Sequence, residues 1–452
     1  MTVDPAAGAR PQALLSPMDG LALIVGVVIG IGIFKAPALV AARFDDPLVI
    51  LSLWLAGAVI MAVGALCYAE LASAWPDAGG EYHFLARAFG PAVGFLFAWG
   101  RLVVIQTGSI ALVAFVFGDY AQRLLDLGPH GASIYAALAV IVVAGANVAG
   151  TRLSARIQRV VAASLVAAVA VTAVLGFVIT PEPTAPVAAV AGTGTTSGSL
   201  AAAMGSAMIF IMLTYGGWNE AAYLSAELRD VKRNMVRVAV GATVVIGFLY
   251  LTINAAYLRV LGVGGLGAST APGADYMEAL LGPPGAAVLS GVVMIAALST
   301  LNATIFTGAR SAYAMGRDVR LLAVLGRWDG RAQGPVAAHL IQAAIALGLV
   351  GMGTMTRQGF ATMVDFTAPV FWFFLTLTAA AVFVRRLRGG GEDTFCVPFY
   401  PFTPLLFCAV SATMLYAALA YTGVGALVGV GAVALGLPLW WAARRAPGGL
   451  AP

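Results

Sequence analysis

The sequence predicts an all-α polytopic membrane protein of twelve transmembrane helices. Three observations carry that expectation. Of 452 residues, 61% are hydrophobic and 10% charged, against about 25% charged in soluble domains, and the mean hydropathy is +0.93. The apolar segments run to about 20 residues and more, which suits helices that cross a bilayer and not the short alternating strands of a barrel. The basic residues also gather in alternate connections, as the positive-inside rule requires.

Spans are expected near 19–42, 48–74, 91–124, 133–150, 156–179, 200–227, 236–260, 284–312, 336–354, 360–386, 402–422 and 424–443. Segment 1–18 precedes them. Its polar stretch from Met1 to Ser16 has neither a basic n-region nor a small-residue cleavage site, so the first span is expected to stay in the protein. With the N-terminus cytoplasmic, the inner segments hold 19 of the 25 Lys and Arg residues; the outer ones hold Arg43, Arg123, Arg259 and Arg357. Lys35 and Arg101 fall within spans. The even count returns the 444–452 tail to the cytoplasm. Segment 180–199, rich in Pro, Gly, Thr and Ser, reads as a flexible outer loop. The 75–90 connection turns at Trp75-Pro76-Asp77-Ala78-Gly79-Gly80-Glu81-Tyr82, and His83 to Phe89 follow as a short amphipathic helix on the inner side. Cys67, Cys396 and Cys408 show no metal spacing and none lies in an outer loop, so neither a disulfide framework nor a covalently linked partner subunit is expected.

The first span contains Val28-Ile29-Gly30-Ile31-Gly32-Ile33-Phe34-Lys35-Ala36-Pro37. Glycine lets the backbone leave helical geometry, and proline cannot donate to the preceding turn. Non-helical backbone at membrane depth is tolerated where it lines a cavity or is buried in protein. The stretch therefore reads as a discontinuous helix that binds something polar. A shift of about 185 residues places Ile31-Gly32 on Gly216-Gly217 and Lys35 on Glu220, within Leu213-Thr214-Tyr215-Gly216-Gly217-Trp218-Asn219-Glu220. Each glycine break opens a group of five spans, 19–179 and 200–386. Because five is odd, the second group enters from the opposite side, which is the pattern of an inverted repeat. The alternative is two independent glycine patches that pack helices. Segment 387–443 then supplies the last two spans.

These residues resemble the amino acid–polyamine–organocation transporters. The match rests on Gly30-Ile31-Gly32-Ile33-Phe34 with Ala36-Pro37; on Pro76, Gly79-Gly80-Glu81-Tyr82 and Phe89-Gly90; on Tyr215-Gly216-Gly217-Trp218-Asn219 with Glu227; and on Asn302, Arg310, Tyr313, Ala314, Arg317 and Asp318. The Gly-Gly-Trp-Asn run is most similar to the L-type amino acid transporter branch, which includes bacterial amino acid exchangers. The resemblance implies a LeuT-type fold of five plus five spans, alternating access, and an α-amino acid site between the first and sixth spans. In that site the N–H groups of Ile31, Gly32 and Ile33 would face a carboxylate. Carbonyls near Val28, Ile29, Leu213 and Gly216 would face the ammonium. Asn219 would contact substrate or support the broken backbone, and Tyr215 and Trp218 would either wall the cavity or pack in the core.

The sequence departs from the family pattern at several points. Ile31 replaces the serine between the glycines, and Leu213 stands where an aromatic is often found. Many cation-independent members carry a lysine seven residues after a fifth-span glutamine; counting from Gln158, that position is Leu165, beside Ser164. The proline that usually follows the Glu227 segment is absent.

Ionisable residues within spans are costly and are functional candidates. Arg101 lies about 15 Å along the third span at 1.5 Å per residue, at the depth of Glu220, so an inner Arg101–Glu220 pair is expected. Lys35 and Asp365 share an outer depth, which suggests a Lys35–Asp365 outer gate. Both pairs could gate, couple, or only lock helices together. Glu70, Asp119 and Glu227 read as solvated span-end residues. Ser299 and Thr300, midway along the eighth span, are a possible cation site by resemblance, or small residues packing helices.

The expected function is secondary active transport of amino acids, neutral ones first, across the cytoplasmic membrane, by exchange or with proton or sodium coupling. A cationic amino acid or polyamine carrier is the alternative within the fold. A membrane enzyme or receptor would need a catalytic pair or a sizeable soluble domain, and the sequence shows neither. No metal, cofactor or nucleic-acid motif appears.

Overall fold

A computed structural model describes residues 16–77, 79–149, 155–179, 200–225, 228–329, 334–356, 359–389, 394–420 and 424–445. The expectations for the outer loop 180–199, the first residues, the end of the tail and Glu227 lie outside the described residues.

The first span begins where Ser16 caps helix α1 (Pro17–Val28). Ser16 Oγ accepts from Asp19 N, and the Asp19 carboxylate accepts from Ser16 N at 3.0 Å. This reciprocal pairing satisfies two donors that a helix start otherwise leaves open. Helix α1 stops at Val28. A 3-10 turn over Ile31–Phe34 follows, then α2 (Ala36–Ala41). The second span is α3 (Pro47–Ala74), capped by Asp46 on Leu48 N at 2.8 Å. The short connection helix is α4 (Glu81–Phe89). The third span is α5 (Pro91–Gly100), a π-helical turn over Arg101–Gln106, and α6 (Thr107–Leu124). Helices α7 (Gly131–Val148) and α8 (Ala155–Val178) complete the first group.

The second group repeats the pattern. Helix α9 (Leu200–Thr214) breaks into a 3-10 segment over Trp218–Leu224. Then come α10 (Val231–Ala268), α11 (Pro272–Asp318), α12 (Val336–Thr356) and α13 (Gly359–Leu387). Helices α14 (Phe402–Ala420), α15 (Val424–Ala434) and α16 (Gly436–Arg445) complete the described residues. Among the described residues, eleven helical segments are long and apolar enough to cross a membrane, and Ala163–Val178 is a shorter apolar helix in the place of the fifth span.

Helix α3 packs along α10, and α6 along α11. Each second- or third-span element thus lies against its repeat counterpart, with the two broken helices between. Two boundaries differ from the sequence reading. The seventh and eighth spans extend beyond 260 and start before 284, because the chain stays helical past bends at Gly262 (φ 66°) and Gly282 (φ 71°). Positive φ suits glycine alone at such bends.

Glu70 also departs from the expected solvated reading. It is fully buried, and its carboxylate accepts from Arg386 Nε and Nη2, both at 2.7 Å, from Arg385, and from Val397 N at 2.6 Å. It ties the end of α3 to the end of α13.

Candidate functional site

The two helix breaks touch. A Cβ on Gly217 would lie 3.2 Å from Val27 Cγ1 and 3.5 Å from Val28 Cα. One on Gly32 would lie 3.4 Å from the Thr214 side chain. Gly217 has φ 103°, a conformation that side chains resist. Glycine therefore serves two ends here, a backbone turn and a close crossing of two main chains.

Ile31 and Gly32 open the 3-10 turn, no side chain caps it, and the first N–H groups of such a turn have no partner within it. The carbonyls on the other side are partly engaged. Val28 O accepts from Gly30 N at 2.6 Å and from the Tyr250 hydroxyl at 2.8 Å. Leu213 O accepts from Gly216 N at 3.0 Å. Tyr250 OH also reaches Thr214 O at 3.4 Å, so one phenol on α10 spans both breaks. No motif marks Tyr250, which sits in an apolar run.

Tyr215 and Trp218 pack in the core in this conformation. Tyr215 is fully buried, donates to Trp54 O at 3.1 Å, and stacks edge-on with Trp54. Trp218 is held between Tyr68 and Phe407, with ring centroids 4.8 and 5.9 Å away.

A polar network adjoins the second break on the side of the 75–90 connection. Arg101 opens the π-helical turn. Its guanidinium lies 3.1 Å from Glu220 and donates to Tyr223 OH at 2.7 Å, so the structure brings Arg101 and Glu220 together. The Arg101 side chain is 13% exposed and that of Glu220 38%, so the pair reaches from the interior toward an accessible surface. Asn219 donates to Glu81 Oε2 at 3.2 Å, and the Tyr68 hydroxyl donates to Glu81 Oε1. Glu81 is the residue that sequence reasoning undervalued; it entered only as part of a motif. It is 4% exposed. Burial pushes its carboxyl up to about 7, against the opposing pull of the Tyr68 hydrogen bond and the nearby Arg101 charge.

On the far side of the breaks, the expected Lys35–Asp365 gate is not formed. Lys35 Nζ lies 2.6 Å from Asp119 and donates to Thr270 O at 2.7 Å. The end of α6 rather than α13 meets the first break, because Tyr120 OH donates to Phe34 O at 2.9 Å and accepts from Gly273 N at 3.1 Å. Asp119 is therefore an ion-pair partner and not a solvated span end. Asp365 lies on α13, where its charge acts on Arg43.

Ser299 is buried and Thr300 half-buried on α11, which packs against the 3-10 turn of the first break. Leu165, in the place of the fifth-span lysine, is buried, while Ser164 is exposed. Among the described residues no cluster of His, Cys, Asp or Glu could hold a metal ion.

The chain has relatives among known proteins. The chain is similar to the b(0,+)-type amino acid transporter 1 of Mus musculus, 28% identical over 407 residues that cover 88% of this chain and 81% of the relative. It is similar to the serine/threonine exchanger SteT of Bacillus subtilis (strain 168), 24% identical over 94% of this chain and 95% of the relative. It is also similar to the large neutral amino acids transporter small subunit 2 of Mus musculus, 29% identical over 81% of this chain and 69% of the relative. A sequence model of the amino acid permease family matches residues 15–441, and the chain belongs to that family.

Proposed function

We propose that this protein exchanges neutral α-amino acids across the cytoplasmic membrane by alternating access, with the substrate held at the crossing of the two broken helices. The observation that carries this reading is the contact of the two breaks, where α1 ends at Val28, the uncapped turn over Ile31–Phe34 begins, and Gly217 lies against Val27 and Val28. A zwitterion fits such a pair of helix ends, because its carboxylate meets the positive end of one dipole and its ammonium the negative end of the other.

The names of the serine/threonine exchanger and the large neutral amino acids transporter support neutral substrates. Membrane orientation follows from the charge count, which places the basic 75–90 end in the cytoplasm together with both termini. The Lys35–Asp119 pair acts as an outer tie and the Arg101–Glu220 pair as an inner one. Ser299 and Thr300 remain the positions where a cation would bind. No covalent partner subunit is needed, since Cys67 is buried, Cys408 half-buried, and Cys396 lies on the basic end.

The test is counterflow. Proteoliposomes preloaded with an unlabelled neutral amino acid should accumulate the labelled one transiently, and preloading with a polyamine should not substitute. Equal uptake with and without preload would remove exchange from the reading.

A further inference from the structure

Glu81 differs from the other buried carboxylate on the same side of the molecule. Glu70 faces two guanidiniums and a backbone N–H. All of these are donors that cannot accept. Glu81 is held by a hydroxyl and an amide, Tyr68 and Asn219. A hydroxyl both donates and accepts, and an amide can present either its NH2 or its oxygen. The Glu81 pocket can therefore satisfy the carboxylate and the carboxylic acid alike.

The place of Glu81 matters as much as its partners. It is the first residue of α4, directly after Gly80, whose φ is 50°. A Cβ on Gly80 would lie 2.8 Å from the Tyr223 ring. Asp77 N donates to Ser225 Oγ at 3.2 Å, and Ser225 Oγ lies 3.3 Å from Asp77 O. Asp77, Gly80 and Glu81 thus lie along the 3-10 segment that forms the second half of the broken sixth span. The Glu81–Asn219 bond is the point where this connection meets the break itself.

We propose that Glu81 is a proton-controlled latch, which docks the start of α4 onto the second helix break and closes the pathway at that end. This inference rests on the transporter reading above.

The charged and titratable groups around Glu81 come from each element packed on α4. Helix α3 presents Tyr68. The π-helical turn presents Arg101, whose hydrogen bonds go to Glu220 and Tyr223 rather than to Glu81. The 3-10 segment presents Glu220 and Tyr223. Helix α13 sends Arg388 to Arg87 O and Ala88 O at the other end of α4, and Arg385 to Glu70. On α4 itself, His83 faces Asp77 at 3.8 Å. Arg101 is the cation among these that acts on Glu81, and it is shared with Glu220.

The direction of control follows from linkage. Docking removes the Glu81 carboxyl from water and raises its pKa to about 7, burial being the main cause. Undocking returns it to water, where its ordinary value is lower. The docked state therefore binds the proton more tightly, acid stabilises the latch, and raising pH through about 7 releases it. The proton comes from, and returns to, the water on that side when the connection lifts.

The experiment is exchange of a labelled neutral amino acid in proteoliposomes of equal internal and external pH, between about pH 5.5 and 8.5, for the wild type, Glu81→Gln and Glu220→Gln. Glutamine reproduces the neutral acid. The wild-type rate should change with a midpoint near pH 7. Glu81→Gln should still exchange, with less than about twofold variation across the range, and Glu220→Gln should keep a pH-dependent rate with its midpoint moved to lower pH, because the Glu220 charge raises the Glu81 carboxyl. A Glu81→Gln profile that matches the wild type would overturn the latch. Wild-type protein that exchanges no amino acid would instead sink the transport reading. Should Glu81→Gln prove inactive, hydrogen–deuterium exchange of the wild type decides. Protection of residues 79–86, corrected for intrinsic rates, should fall as pH rises through neutrality, and unchanged protection would overturn the proposal.

Discussion

Lys35 shows what a single residue contributes and what sequence depth alone cannot assign. Its ammonium sits between Asp119 and the Thr270 carbonyl, with the two ionic side chains 12% and 19% exposed. Removing one member of a largely buried pair leaves the other charge without compensation, a cost of about 1–3 kcal/mol when some water access remains. Lys35→Met should therefore lower thermal stability in detergent, and Lys35→Met with Asp119→Leu should recover most of the loss. A double-mutant cycle reads this coupling directly. A Lys35→Met protein as stable as the wild type would show that the pair contributes nothing. The sequence offered Asp365 as partner because both residues share an outer depth. Depth fixes one coordinate of a helix residue and not its angular position. The angular choice is made by Tyr120, which ties α6 to the Phe34 carbonyl. Glu70 was misjudged for a related reason, since its guanidinium partners lie more than 300 positions away along the chain.

The broken helices are the elements most legible in the sequence, because at both the glycines are followed three residues later by a charge, Lys35 and Glu220, within an apolar run. Both breaks fall where Gly30-Ile31-Gly32 and Gly216-Gly217 stand. Gly217→Ala should cost about 1–3 kcal/mol, since alanine resists a φ of 103° and meets Val27. It should also reduce exchange by about tenfold or more, because the crossing must open for its N–H and carbonyl groups to serve a substrate. Exchange at the wild-type rate in Gly217→Ala would separate the break from function. The π-helical turn at Arg101 had no sequence signal. One extra residue per turn is a tertiary adjustment, and such turns often mark functional positions in helices. Here it re-aims Arg101 at Glu220 and Tyr223. The bends at Gly262 and Gly282 were hidden because the chain on either side stays helical and only moderately apolar.

At the scale of the whole molecule, charge asymmetry and the crossing of two inverted groups make separate claims. The first concerns orientation. Cys396 is exposed on the basic end beyond α13, while Cys67 is buried and Cys408 half-buried. In right-side-out vesicles a membrane-impermeant maleimide should label the protein only after permeabilisation, and labelling of intact vesicles would invert the topology. The second claim is that the α3–α10 and α6–α11 contacts hold two broken helices at one crossing, where an amino acid is passed from side to side. The fold class was legible from hydropathy and loop charge. The buried network of Glu81, Asn219, Tyr68 and Arg101 was not, since it joins residues from four elements that only packing brings together. Counterflow in proteoliposomes tests the central claim most directly. With an unlabelled neutral L-amino acid inside, the labelled amino acid should rise above its equilibrium level and then decay, and Gly217→Ala should flatten that peak. The absence of any accumulation or exchange, for every amino acid tried with wild-type protein, would contradict the account.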